Sequence, residues 1–319
     1  METAFRLADQ LQCTLVALCS KWSKAESVAM LAADWNIDLL AIDFHQIPPG
    51  LLPDFKTTRI GGKSWSDLSQ KRNLGLLLGR LAGWERMIFL DDDIAVTEPN
   101  DLRNAAHLLD EFAAVGLVNV GYPDNSVVCH AYRATRGPQD TFIGGGALAI
   151  SNTSATSFFP NVYNEDWFFL LDLIEGRRTA STGTVIQQPY DPFANDRRAR
   201  AEEFGEVLAE GLYWLFDQGL RVQDATENHW REFIDRRMSF INEVINRVAE
   251  TALEPGLKHR MTSSLKAARG RNRLITPAKC IQYMHAWHAD GSRWRKHVGA
   301  AQRHLRLRAT LPSGPAIQP

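Results

Sequence analysis

Short apolar runs alternate with amphipathic stretches through the first two hundred residues, and that alternation predicts a layered α/β domain. Residues 13–19 (Cys-Thr-Leu-Val-Ala-Leu-Cys) form an apolar run closed by Ser20 and Lys21, and read as a buried strand. Residues 25–34 favour helix, and 37–44 read as a second strand that reaches its end at Asp43. Pro48, Pro49, Gly50 and Pro53 then impose a loop. A helix is predicted over 66–82, with Asp67 near its start and Gly83 just past its end. The next strand, 87–90, is stopped by Asp91, Asp92 and Asp93. Strand and helix alternating on short links predict a doubly wound, mostly parallel sheet flanked by helices. In such sheets ligands lie beyond the carboxyl ends of the strands, which would put Ser20, Asp43 and the three aspartates on one edge.

Further along, 102–112 reads as helix, 115–120 as strand, and 147–150 as a strand behind Gly144, Gly145 and Gly146. Asn164 opens a very apolar helix running to about 174, and 184–188 reads as the domain's last strand. From residue 199 the pattern is mainly helical, notably over 202–217 and 229–249, with breaks in the 270s and from Pro312. The chain is therefore expected to divide into an α/β domain over 1–198 and a helical region over 199–319.

Charge sharpens that division. The whole chain is nearly neutral at −1, yet residues 251–319 hold 13 Lys/Arg against 2 acids, and the first 250 residues hold 23 against 35. The basic end could meet an anionic acceptor, an anionic membrane surface or an acidic partner face, and is expected to shape an acceptor site or a homodimer interface. Its tryptophans and arginines match nucleic-acid binding only loosely, so no nucleic-acid partner is expected. No apolar run approaches the roughly eighteen residues of a membrane span. The N-terminus lacks the order of a signal peptide, and Cys13, Cys19, Cys129 and Cys280 form no CxxC pair. Buried free thiols in a reducing, cytoplasmic setting are expected.

Three adjacent carboxylates behind an apolar strand require an explanation. If the strand stays extended, Asp91 and Asp93 share a side, and two such carboxylates suit a hard cation such as Mg²⁺ or Mn²⁺ between them. A solvated acidic turn is the plain alternative. On the preceding helix, Lys71, Arg72 and Asn73 offer two cations and an amide suited to ribose and phosphate, or simply a basic surface. Gly144, Gly145 and Gly146 allow close backbone approach, or a plain turn. Glu165 and Asp166 are candidates for general base, and equally for acids placed in a helix's first turn.

The order Lys71-Arg72-Asn73-Leu74-Gly75, then Phe89-Leu90-Asp91-Asp92-Asp93, resembles the GT-A-fold glycosyltransferases, particularly the family 2-like group. There a helix with an Arg-Asn-x-Gly-type motif precedes a strand ending in a DxD motif. The resemblance spans roughly residues 13–190. It implies a GT-A fold and transfer of a sugar from a nucleotide-diphosphate donor to a hydroxyl-bearing small molecule or glycan. By the same resemblance Asp91 approaches the ribose or base and Asp93 ligates the metal, with Asp91 sharing that role and Asp92 supporting. Asp43 falls where the nucleobase is contacted, and Ser20 lines that pocket with Lys71, Arg72 and Asn73. Gly145 and Gly146 line the sugar and acceptor pocket. Asn164-Glu165-Asp166-Trp167 resembles the family's acidic motif, making Asp166 the base of an inverting displacement and Glu165 its neighbour. The QxxRW motif of processive synthases is absent. A haloacid-dehalogenase-type phosphatase using Asp91 as nucleophile and Asp93 as acid is the rival enzyme, though that family opens on its motif strand. Here two strand–helix units precede the motif, and Ala95 stands where Thr or Val is expected. A catalytically silent nucleotide-sugar-binding module is the non-enzyme alternative.

Overall fold

A computed structural model describes residues 1–61, 66–122, 125–139, 143–176 and 178–310, the side chains of 306–310 apart. The chain runs α1 (Glu2–Leu11), β1 (Leu15–Cys19), α2 (Ala25–Leu31), β2 (Leu39–Asp43), α3 (Lys56–Gly61), α4 (Leu68–Ala82), β3 (Arg86–Leu90), β4 (Ile94–Ala95) and α5 (Pro99–Leu108). It continues through β5 (Ala114–Gly121), α6 (Val127–Ala134), β6 (Ala147–Ser151), α7 (Glu165–Glu175), β7 (Thr179–Gln187), α8 (Asp196–Asp217), α9 (Glu227–Glu250), α10 (Pro255–Asn272) and α11 (Pro277–Thr310). The fold is α/β and 56% helical. No described helix is long and apolar enough to cross a membrane.

The sheet departs from the mostly parallel arrangement that the sequence suggests. β1 and β2 pair in parallel as a two-stranded sheet, Leu15 opposite Leu39 through Cys19 opposite Asp43. The main sheet is mixed, in the order β3-β6-β5-β7-β4. Within it β6 runs antiparallel to both β3 and β5, β7 is parallel to β5, and β4 is antiparallel to β7. An apolar run announces a strand but not its direction, which depends on where the chain re-enters the sheet. Ser20 and Asp43 therefore end strands of one sheet, and Asp91 follows a strand of the other. The N-terminal helix α1 is also new: its Phe5, Leu7 and Ala8 are buried. Of the cysteines, Cys19 and Cys280 are buried as expected, whereas Cys13 is exposed and Cys129 half-buried.

Two faces of α4 explain how the sheet and the later helices are held in place. Arg72, Gly75 and Gly79 recur at helical spacing, so they share one face, and Met87, Phe89 and Asp91 alternate on one side of β3 and the turn after it. A Cβ on Gly75 would come within 3.2 Å of the Phe89 ring, and one on Gly79 would overlap the Met87 sulfur. The two glycines thus admit the strand's large side chains, and the same face continues to Arg72 above Asp91. A second face binds the segment before α7. There Ser69 Oγ donates to the Pro160 carbonyl at 2.9 Å, Asn73 Nδ2 to the Phe159 carbonyl at 2.7 Å, and Arg80 to the Ala155 carbonyl at 2.6 Å.

The largest apolar cluster draws on both sides of residue 198. Leu76 and Leu77 of α4, Phe168 and Leu171 of α7, Phe204 and Leu208 of α8, and Tyr283 and Trp287 of α11 all belong to it. α8 also carries buried charge: Arg237 of α9 is paired with Glu203, Glu206 and Glu210 at 3.1, 3.1 and 2.7 Å. Asn272 at the end of α10 donates to the same Glu203.

Candidate functional site

A cavity of about 1000 Å³ lies between the β3–β6–β5 end of the sheet, the start of α7 and the first three turns of α8. At its sheet side sits Arg72, 5% exposed. Its Nη2 donates to both oxygens of Asp91, at 3.0 and 2.9 Å, and its Nη1 donates to Glu165 Oε1 at 2.8 Å. Asp166 accepts from the Gly145 amide at 2.6 Å through Oδ2 and from the Trp167 amide at 2.9 Å through Oδ1. Arg72, Asp91, Gly146, Glu165 and Asp166 all line the cavity. Residues from the helix, aspartate, glycine and acidic motifs thus meet in one place.

The local reasons are visible in the backbone. β3 ends at Leu90, and Asp91 to Ile94 is a turn closed by the Ile94 amide on the Asp91 carbonyl at 3.2 Å. The three aspartates are therefore not an extended segment, and strict alternation of sides does not apply to them. Asp91 is anchored instead by its own amide on the Gly146 carbonyl at 2.9 Å, which keeps β3 beside the glycine turn. Asn164 precedes α7 with φ 62°, so it occupies the left-handed region. Its side chain makes no capping bond; its Nδ2 donates to Glu206 Oε1 at 2.8 Å. The helix start is where the sequence places it, but the asparagine braces α8 rather than capping α7.

Electrostatics follow from crowding. Asp91, Glu165 and Asp166 share the one guanidinium of Arg72, whose single charge cannot balance three ionised carboxylates. Burial raises the carboxyls of Glu165 and Asp166 above their ordinary ranges, against the pull of Arg72. Burial likewise raises Asp93, which Gln187 and its own backbone oppose and Asp91 and Asp92 reinforce. Arg72 is held firmly charged by Asp91, Glu165 and Asp166 in spite of its burial.

Other expected residues lie elsewhere. Asp93 does not line the cavity; its Oδ2 accepts from Gln187 Nε2 at 2.9 Å, and Gln187 does line it. Asp92 is exposed in the turn. Asn73 is 1% exposed and wholly engaged with Phe159, so it positions the loop before α7 rather than facing the cavity. Lys71 pairs with Asp67 at 3.6 Å. Ser20 hydrogen-bonds to Asp67, whose carboxyl is drawn down by Ser20, Lys71 and Lys21 although burial opposes the shift. Asp43 accepts from the Ala25 amide at 3.0 Å and thereby anchors the start of α2. Neither Ser20 nor Asp43 lines the cavity. The loop at 188–193 is anchored: Phe193 is buried, and the Tyr190 hydroxyl meets His130 at 3.0 Å and Arg198 at 2.9 Å.

No protein-family model and no curated protein matches this chain. The functional reading therefore rests on its own residues.

Several of these the sequence reading passes over. Gln187 ties Asp93 to Asn119, donating its backbone amide to Asn119 Oδ1 at 3.0 Å and accepting from Asn119 Nδ2 at 2.9 Å. Tyr213 lies near Asp166, and its ring packs on Trp167 at 4.5 Å. Cys129, Glu206 and Glu210 bring one ligand atom each within 4.8 Å of one another, but Arg237 already balances the two glutamates. The run Arg197, Arg198 and Arg200 opens α8 directly onto the cavity. That run was legible as a cluster of cations at a helix start.

Proposed function

We propose that the protein is a metal-dependent glycosyltransferase, moving a sugar from a nucleotide-diphosphate donor to a hydroxyl-bearing acceptor. One observation carries the reading. Arg72 joins Asp91, 19 residues away, to Glu165, 93 residues away, while Asp166 rests on the Gly145 amide beside them. Separate motifs that resemble one family in sequence thus share a single wall of a ligand-sized cavity.

The donor atoms suit a hard divalent cation. They are all carboxylate oxygens, and their charge exceeds that of the one guanidinium among them. Both Asp91 oxygens accept from Arg72, whereas Asp93 has Oδ2 on the neutral Gln187 amide, which makes Asp93 the principal metal-ligand candidate and Asp91 an orienting partner. Mn²⁺ or Mg²⁺ held there would supply charge neutralisation for a leaving diphosphate. Asp166 takes the proton of the acceptor hydroxyl. Its raised affinity for protons fits that task, because a base acts best when its pKa approaches the working pH. The Gly145 amide holds the carboxylate in one orientation, and Arg72 keeps Glu165 turned aside from it. An inverting single displacement follows from a base of this kind.

Asp91 bound through both oxygens to Arg72 is poorly disposed to act as the nucleophile of a phosphatase. The deciding experiment incubates purified protein with a panel of nucleotide sugars and Mn²⁺. Donor turnover that needs Mn²⁺ and is lost in Asp93→Asn supports the reading. Hydrolysis of phosphomonoesters without donor turnover points to the phosphatase, and donor binding without turnover to a silent binding module.

A further inference from the structure

The same cavity also carries a group of arginines. Arg197 and Arg200 of α8 and Arg271 of α10 line it. At about 100° per residue Arg197, Arg200 and Phe204 share one side of α8, whereas Glu202, Glu206 and Glu210 share the other. Those glutamates are occupied by Arg198 and Arg237. Among the described residues none of Arg197, Arg200 and Arg271 has a carboxylate within ion-pairing distance. Lys279 of α11 lies near Arg271, its Nζ 4.4 Å from the centre of the Phe204 ring. Burial and the nearby charge of Arg271 both lower the pKa of that ammonium. Like charges gathered from α8 and α10 in one cavity, with Lys279 close to Arg271, repel one another. An anion between them removes that repulsion, and guanidinium groups match the oxygens of phosphate in pairs.

Resting on the glycosyltransferase reading, we propose that Arg197, Arg200 and Arg271 bind a phosphate group carried by the acceptor, so that this enzyme glycosylates a small phosphorylated molecule. The donor diphosphate has its own partners around the aspartates. Asp166 lines the same cavity, so an acceptor anchored by phosphate at α8 presents its hydroxyl towards the base. The cavity measures about 1000 Å³, a size that suits a small molecule.

Isothermal titration of the full chain with glycerol 3-phosphate and with inorganic phosphate, in EDTA, tests the site without any transfer step. Binding that weakens about tenfold or more in Arg200→Gln/Arg271→Gln supports the proposal, since each lost contact is a charge-assisted hydrogen bond. Arg231→Gln, on α9 and outside the cavity lining, should leave that binding within about twofold of wild type. The double variant should also keep Mn²⁺-dependent binding of a nucleoside diphosphate, and circular dichroism checks that it folds. Equal phosphate binding by wild type and a folded double variant overturns the site, as does no binding at all. Attachment to vesicles containing phosphatidic acid that free phosphomonoester does not displace overturns it too, by placing the cations at a membrane surface. If phosphate binds but no nucleoside diphosphate does in Mn²⁺, the anion site stands and the transferase reading falls.

Discussion

Asn73 and Phe159 are bonded to each other twice: the Asn73 amide nitrogen donates to the Phe159 carbonyl at 2.7 Å, and the Phe159 amide donates back to Asn73 Oδ1 at 2.8 Å. This reciprocal pair fastens α4 to the segment that leads into α7, and so fixes Arg72 against Glu165. Asn73→Ala would leave a buried N–H and a buried C=O without partners. Unfolding in urea should show a loss of about 2–4 kcal/mol, because each orphaned group forfeits its hydrogen bond and keeps its desolvation cost. Binding of a nucleoside diphosphate by the folded fraction should persist, since Asn73 does not line the cavity. A variant of unchanged stability that had lost nucleotide binding would restore Asn73 to the ligand contacts implied by the family resemblance.

Gly145 holds a tighter position than either neighbouring glycine. A Cβ there would overlap the Arg72 guanidinium and approach the Asp166 Cβ to 2.9 Å. Arg72 cannot simply swing away, because it is pinned by two carboxylates. Gly145→Ala should therefore misplace the base and cut transfer roughly a hundredfold, in line with the sensitivity of catalysis to shifts of about 1 Å. Gly144→Ala meets only Asp166 Oδ2 at 3.9 Å and should change transfer little. Comparing kcat for the two variants is the check, and similar values would remove the special role of Gly145.

These two residues show what the sequence could and could not announce. The Arg72, Asp91, Gly145, Glu165 and Asp166 cluster was legible because each belongs to a motif with a chemical reason, and the motifs keep their order. α4 was legible from its periodicity and its Asp67 and Gly83 ends, and the structure places it over Leu68–Ala82 with Gly83 at φ 75°. The facing of Asn73 was not, because adjacent helix positions lie about 100° apart and a motif does not say which of its members looks inward. Strand direction was hidden for a similar reason: β6 is apolar on both faces whichever way it runs. The turn at Asp91 to Ile94 depends on a tertiary bond to Gly146, more than fifty residues away, that no local pattern encodes.

Glu165 and Asp166 are adjacent buried carboxylates beside one guanidinium. Burial, reinforced by the charge of Asp166 and opposed by Arg72, raises the Glu165 carboxyl to about 8. Below that pH Glu165 keeps its proton, so Glu165→Gln exchanges one neutral group for another. The acid limb of kcat/KM against pH, which reports the base in the free enzyme, should therefore stay in place in this variant. Asp166→Asn should abolish the limb along with most of the activity. A limb lost in Glu165→Gln but kept in Asp166→Asn would make Glu165 the titrating base.

The last expectation concerns stability rather than chemistry. Glu202 is almost fully buried, accepts from the Val127 amide at 2.8 Å and pairs with Arg198 at 2.5 Å. Burial pushes its carboxyl from 4.5 up to about 7, with Arg198 opposing the shift. A carboxyl whose folded pKa is raised keeps its proton in the native state over a range where the unfolded chain has released it. Its contribution is whole below about pH 4.5 and is lost as pH climbs to about 7, with no further change above. Glu202→Gln keeps an acceptor for Val127 and removes the titration. Between pH 4.5 and pH 7.5 the wild type should therefore lose stability relative to this variant, on the order of 1–3 kcal/mol. Urea unfolding of both proteins across that range measures the difference, and parallel curves would mean that Glu202 stays ionised in the folded protein, held so by Arg198.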